Sequence, residues 1–217
     1  IPTNMPFREG HLKEIMQHLK PALHKQDARN VLLTGPTGSG KTTLAKWILS
    51  EHFPRRHAYI NCLNTRSEHK ILQSILLQLG YIIPENKPTH RLAEKFVEKV
   101  GKGTIVCLDE VDHIKDERIL ETLSSHLSSL VLITNRDMFF DGLENRISSR
   151  LFAAEVEFGK YTSLEISAIL EDRANYALRP DSITPRILEL IATWANGDAR
   201  VALQTLKASA KMAEAKH

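Results

Sequence analysis

No apolar run in this 217-residue chain approaches the roughly 20 residues needed to cross a bilayer, and the amino terminus lacks the charged-then-apolar pattern of a secretory leader. The expectation is an intracellular protein, cytoplasmic or nucleoid-associated (nuclear in a eukaryote), with no membrane partner. Cysteine is scarce. Cys62 and Cys107 end apolar strand-like runs and form no C-x-x-C pair, which argues against a disulfide framework and leaves two reduced core thiols. The ten histidines offer no H-E-x-x-H spacing, so no structural metal is expected. Lys and Arg number 29 against 26 Asp and Glu, a formal charge of +3, yet they never gather into a run. Such a balance gives weak support to a nucleic-acid partner, and an ordinary solvated surface accounts for it as well.

What is present begins with Gly35 to Thr43, G-P-T-G-S-G-K-T-T, directly after the apolar run Val31-Leu32-Leu33. The order is a strand, a glycine-rich turn and the start of a helix. The spacing G-x-x-x-x-G-K-T is the phosphate-cradling P-loop pattern. Gly35, Gly38 and Gly40 let the backbone turn its N–H groups toward one concavity without a Cβ in the way. The helix start adds unpaired amides and the positive end of its dipole. Pro36, Thr37 and Ser39 complete the cradle, Lys41 reaches the outer phosphates, Thr42 supplies a hydroxyl for Mg²⁺, and Thr43 serves mainly as a helix residue.

Along the chain, strand-like runs at 31–33, 57–62, 104–108, 130–134 and 155–158 alternate with amphipathic helices. That alternation predicts an α/β fold with a parallel sheet flanked by helices over residues 1–159. A break is expected at Pro21 of the first helix, and capping boxes at Thr65-x-x-Glu68 and Thr162-x-x-Glu165. Residues 160–217 then read as a small domain of three helices, the second with Thr184 before Pro185 and the last capped by Asp198.

Ile105 to Leu108 delivers Asp109 and Glu110 to the carboxyl end of a strand, where open α/β sheets bind ligands. Beside a P-loop, Asp109 suits water-mediated Mg²⁺ binding and Glu110 suits orienting an attacking water. Asp112 reads as a helix cap. Asn135 follows the next strand and would contact phosphate or water if the two strands are neighbours, although a turn-forming Asn is the plainer reading. Arg146 and Arg150 share one helix face, either as a solvated basic surface or, for Arg150, as a group projecting into a neighbouring subunit's phosphate site. Arg200 lies in a first helical turn, where a cation opposes the helix dipole and calls for compensation such as a γ-phosphate.

Taken in order, G-P-T-G-S-G-K-T, L-D-E-V-D, T-N-R-D, N-R-I-S-S-R-L and G-D-A-R-V-A-L resemble an AAA+ ATPase. P-F-R-E, Y-I-N-C, V-E-F-G-K-Y and I-L-E-D-R-A are similar to the origin-recognition and replication-licensing initiators of archaea and eukaryotes. The resemblance implies Lys41 and Thr42 for Walker A, Asp109 and Glu110 for Walker B, Asn135 for sensor 1, Arg150 for the arginine finger and Arg200 for sensor 2. It also implies nucleotide contacts by Tyr161, Arg173, Arg8 and Glu9, a helical lid at 160–217, and a DNA-touching insertion around Arg66 to Leu79. ATP or ADP with Mg²⁺, double-stranded origin DNA, other AAA+ subunits and a replicative helicase are the implied ligands and partners. The implied activity is a slowly hydrolysing, nucleotide-switched initiator; a clamp-loader-type or other oligomeric remodelling ATPase is the alternative, with a small-molecule kinase further behind. The stretch from Asp112 to Val131 is short for that family, and its winged-helix domain does not lie within these residues, as expected of a shortened relative or a piece of a longer protein.

Overall fold

Apolar runs of four or five residues become the five strands: β1 (Val31–Thr34), β2 (His57–Asn61), β3 (Ile105–Asp109), β4 (Ser129–Ile133) and β5 (Ala154–Glu157). The computed structural model describes residues 5–84, 87–127, 129–136, 139–180 and 182–215; Asp137 of the T-N-R-D motif lies outside them. The strands are ordered β2-β3-β4-β1-β5, with every neighbouring pair parallel. β1, β3 and β4 are buried throughout, as a parallel sheet covered on both faces requires. Edge strand β5 alternates buried and exposed residues.

β4 lies between β1 and β3. The carboxyl end of β4 is therefore set between those of β1 and β3.

The chain divides into two compact units, one of residues 1–34 and 41–157, the other of Gly35–Gly40 and Phe158–His217. The first adds helices α1 (Glu9–Leu23), α2 (Lys41–His52), α3 (Glu68–Gln78), α4 (Thr89–Lys99), α5 (Arg118–His126) and α6 (Asn145–Leu151). Helical spacing puts Ile71, Leu72, Ile75 and Leu76 of α3 and Leu92 and Phe96 of α4 into one buried cluster with β2 and β3. Burying each such side chain contributes about 1.5–3 kcal/mol. The second unit carries α7 (Ser163–Ala177), α8 (Pro185–Trp194) and α9 (Ala199–Glu214) around Ile166, Leu170, Leu188, Ala192, Ala202 and Leu206. The glycine-rich turn Gly35–Gly40 groups with these helices, whereas a boundary at 159/160 assigns it to the sheet.

Local signals read differently in three places. Pro21 does not break α1, which runs on to Leu23, because the proline falls in the last turn, close to where the helix stops. The cap of α3 is Ser67, whose side chain accepts from Lys70 N, so Glu68 is the first helical residue and Thr65 lies outside. Asp112 sits inside a short 3₁₀ turn (Val111–His113) whose N-cap position is Glu110. It accepts from Thr134 Oγ1 at 2.9 Å and pairs with Arg136 Nε at 3.3 Å, tying the turn after β3 to the segment after β4. At α7, Thr162 and Glu165 form the expected reciprocal box. Both cysteines are free and buried; burial pushes the Cys62 thiol up to about 12 and the Cys107 thiol well above its ordinary value. No described helix is long and apolar enough to cross a membrane.

Candidate functional site

At the carboxyl ends of β3 and β4 and the start of α2, five polar side chains form a relay of three and a pair. Lys41 Nζ donates to Asn135 Oδ1 at 2.9 Å, and Asn135 Nδ2 donates to both Glu110 oxygens at 3.2 Å. Thr42 Oγ1 donates to Asp109 Oδ2 at 3.0 Å. Asn135 therefore bridges a cation and a carboxylate, a task a turn-forming Asn does not have. The register pairs Asp109 with Ile133, confirming that the two strands are neighbours. Lys41 is 5% exposed and Asp109 4%. Buried charges of this kind persist only when paired.

Glu110 adopts φ 54°, a left-handed conformation rare outside glycine. Such backbone strain, on the order of 1–3 kcal/mol, persists where the surroundings over-determine it. Here Glu110 N donates to Asp109 Oδ1 at 3.1 Å and the Glu110 carboxylate is held by Asn135.

In the second unit, Gly35 and Gly38 both take positive φ, and each is crowded where a Cβ would stand. At Gly35 a Cβ would meet Phe158 O at 2.2 Å; at Gly38 it would meet Asp198 Oδ1 at 1.9 Å. Only glycine fits either place. Asp198 caps α9 by accepting from Arg200 N at 2.8 Å and Val201 N at 3.1 Å, and Thr37 Oγ1 donates to its other oxygen at 3.5 Å. Ala199 N donates to Gly38 O at 3.2 Å, so the first turn of α9, which bears the exposed Arg200, abuts the glycine-rich turn. Replacing Asp198 with Ala is expected to cost about 0.5–2 kcal/mol of helix stability. Hydrogen exchange checks this: the Arg200 and Val201 amides should lose protection, and unchanged protection would show the cap to be dispensable.

Arg146 and Arg150 do not join the five-residue cluster. Both guanidiniums pair with Glu121 of α5, whose carboxyl the arginines hold below its ordinary range. Arg150 remains 52% exposed. Of the other candidates, Arg8 is buried with Nη1 donating to Phe7 O, Glu9 opens α1, and Tyr161 is buried with its N–H directed to Gly197 O at 3.4 Å. Arg173 stands 3.7 Å from Asp172 on α7. Arg66 and Lys70 are exposed, with Arg66 Nε donating to Leu63 O. Sequence reasoning missed Glu121 and Tyr59, whose hydroxyl donates to Asp109 Oδ2. Pairing across strands and helices far apart in the chain leaves no local spacing to find.

Comparison with known proteins assigns the family. A family model described as an AAA domain matches residues 23–139, and one described as the Cdc6 AAA+ ATPase-type lid domain matches residues 167–217. ORC1-type DNA replication protein 1 of Halobacterium salinarum is 30% identical over 223 residues, covering 98% of this chain and 72% of that protein. The chain belongs to the ORC1-type AAA+ ATPases. Among solved structures, the Aeropyrum pernix ORC1 protein in complex with DNA matches this ORC1-type chain with a TM-score of 0.88 at 30% identity, over 100% of this chain and 62% of that one. The Aeropyrum pernix ORC2 protein, solved as ADPNP-ADP complexes, matches with a TM-score of 0.83 at 25% identity, over 100% of this chain and 65% of that one. The chain spans about three fifths of the length of several curated relatives it matches, 59%, 63% and 61% for three of them.

Proposed function

We propose that this chain is the nucleotide-switched ATPase module of a DNA replication initiator, binding ATP or ADP with Mg²⁺ and hydrolysing ATP slowly. The observation that carries the reading is the relay from Lys41 through Asn135 to Glu110 beside the Thr42–Asp109 pair. The donor set suits the ligand: an ammonium and a glycine turn for polyphosphate, a hydroxyl and a carboxylate for a hard cation. Mg²⁺, when bound, would supply neutralisation of phosphate charge. Lys41 binds the outer phosphates, Thr42 and Asp109 hold the metal, Glu110 orients and deprotonates the attacking water, and Asn135 fixes both Lys41 and Glu110 in place. Arg200 senses the γ-phosphate from the helical unit; Tyr161, Arg173, Arg8 and Glu9 complete the nucleotide contacts. Arg150 acts on the site of a neighbouring AAA+ subunit.

The proposed partners are duplex DNA, other AAA+ subunits and a replicative helicase; the ORC1-type relatives favour this over a clamp-loader role. With a net charge of +3 and no basic run, the chain neutralises few phosphates. Each contributes a slope of about −0.9 to log K against log salt, so a slope of about −1 to −3 and a Kd on the order of micromolar are expected. Arg66 and Lys70 are the residues to replace first. Fluorescence anisotropy over a salt series, with origin and scrambled duplexes and with ATP or ADP, tests this. Weak binding that depends on the nucleotide supports it. Nanomolar, sequence-selective binding by this chain alone, or binding indifferent to nucleotide, would contradict it.

A further inference from the structure

Tyr59 lies on β2, the strand paired with β3, in a register that sets it opposite Cys107 and puts Asn61 opposite Asp109. Its hydroxyl reaches forward by two residues and donates to Asp109 Oδ2. That oxygen also accepts from Thr42 Oγ1 at 3.0 Å, while Oδ1 accepts from Glu110 N at 3.1 Å. A carboxylate that is 4% exposed is thus met by donors from three directions: α2, β2 and the turn after β3. On the ring face, Lys46 Nζ of α2 stands 4.0 Å from the Tyr59 centroid, an attraction of the cation–π kind that holds the phenol in place. Ring and hydroxyl are therefore fixed separately, one by Lys46 and the other by Asp109.

We infer that Tyr59 is a positioning residue for Asp109, orienting the carboxylate toward the metal of the bound nucleotide. The inference rests on the proposed metal-holding role of Thr42 and Asp109. Thr42 from α2 and the Glu110 amide from the strand end each hold one oxygen; the Tyr59 hydroxyl adds a second donor to Oδ2 from the neighbouring strand, which steadies that oxygen from a direction the other two do not cover. Groups that orient a metal-binding side chain typically account for about 10- to 100-fold in metal affinity. The loss of one donor out of three sets the expectation at the lower end.

The test compares wild type with Tyr59→Phe, which keeps the ring and removes only the hydroxyl, and with Tyr59→Ala, which removes both. Electron paramagnetic resonance of Mn²⁺ measures metal binding to the protein–ADP complex, and a fluorescent ADP measures nucleotide binding without metal. Tyr59→Phe is expected to weaken Mn²⁺ binding about tenfold while metal-free ADP binding stays unchanged. Wild-type affinity in Tyr59→Phe, with weaker binding only in Tyr59→Ala, would reduce Tyr59 to a packing role and overturn the inference. Equal loss of metal-free ADP binding in Tyr59→Phe would overturn it as well, since a carboxylate-orienting hydroxyl acts only through the metal. Failure of the wild-type ADP complex itself to bind Mn²⁺ would overturn the metal-holding reading together with the inference, and is told apart because no variant is involved.

Discussion

Glu110→Gln is expected to leave ATP bound while slowing its hydrolysis by about 10²- to 10⁴-fold, the range of a lost general base. The amide keeps the size of the carboxylate, and its oxygen still accepts from Asn135 Nδ2, which stands 3.2 Å from the Glu110 oxygens. What it loses is the capacity to take a proton. Lys41→Ala should behave in the opposite way, weakening nucleotide binding by roughly 10- to 150-fold, as the loss of a hydrogen bond to a charged group of about 1.5–3 kcal/mol implies. Lys41 is 5% exposed and its ammonium donates to Asn135, so the side chain is held in the cluster. Single-turnover hydrolysis with binding measured in parallel separates the two. Equal loss of binding in both variants would contradict the division of labour between phosphate charge and water activation.

Arg150→Ala is expected to lower hydrolysis by about 10³-fold, the lower end of the effect of arginine fingers on phosphoryl transfer. The residue pairs with Glu121 of its own chain, yet half of its side chain is exposed. That exposure leaves the guanidinium open to the phosphates of a neighbouring subunit, which would compete with Glu121 for it. Mixing Arg150→Ala subunits with Glu110→Gln subunits should restore part of the lost activity, because some interfaces then join an intact finger to an intact base. Full activity in a monomer, lost on Arg150 replacement regardless of protein concentration, would show that the arginine acts within its own chain.

The sheet was legible because its strands are short apolar runs separated by helical periodicity, and the P-loop because its nine residues are contiguous. Asp109 and Glu110 followed from their place at a strand end. The partner of Asn135 depended on strand order, which a linear pattern does not contain: β4 had to lie between β1 and β3 for Lys41, Asn135 and Glu110 to meet. Tyr59 and Glu121 were hidden for the same reason, each acting across about 25 to 50 residues of chain. Asp112 was misread from its neighbours; the ladder put Thr134 beside it, and a buried carboxylate took that hydroxyl and Arg136 in place of a helix end. The cap of α3 shifted from Thr65 to Ser67 because both residues are good caps and the choice falls to where Ile71 and Leu72 meet the core. Asp198 was recognised as a cap, but its second task, filling the space over Gly38, needed the turn and the helix to be seen together.

Isothermal titration of the wild-type chain and of Lys41→Ala with ATP, in the presence and absence of Mg²⁺, tests the nucleotide site most directly. One ATP per chain is expected, tightened by Mg²⁺ in the wild type and weakened by roughly 10- to 150-fold in Lys41→Ala. No binding by the folded wild-type chain, or equal affinity in the two proteins, would contradict it.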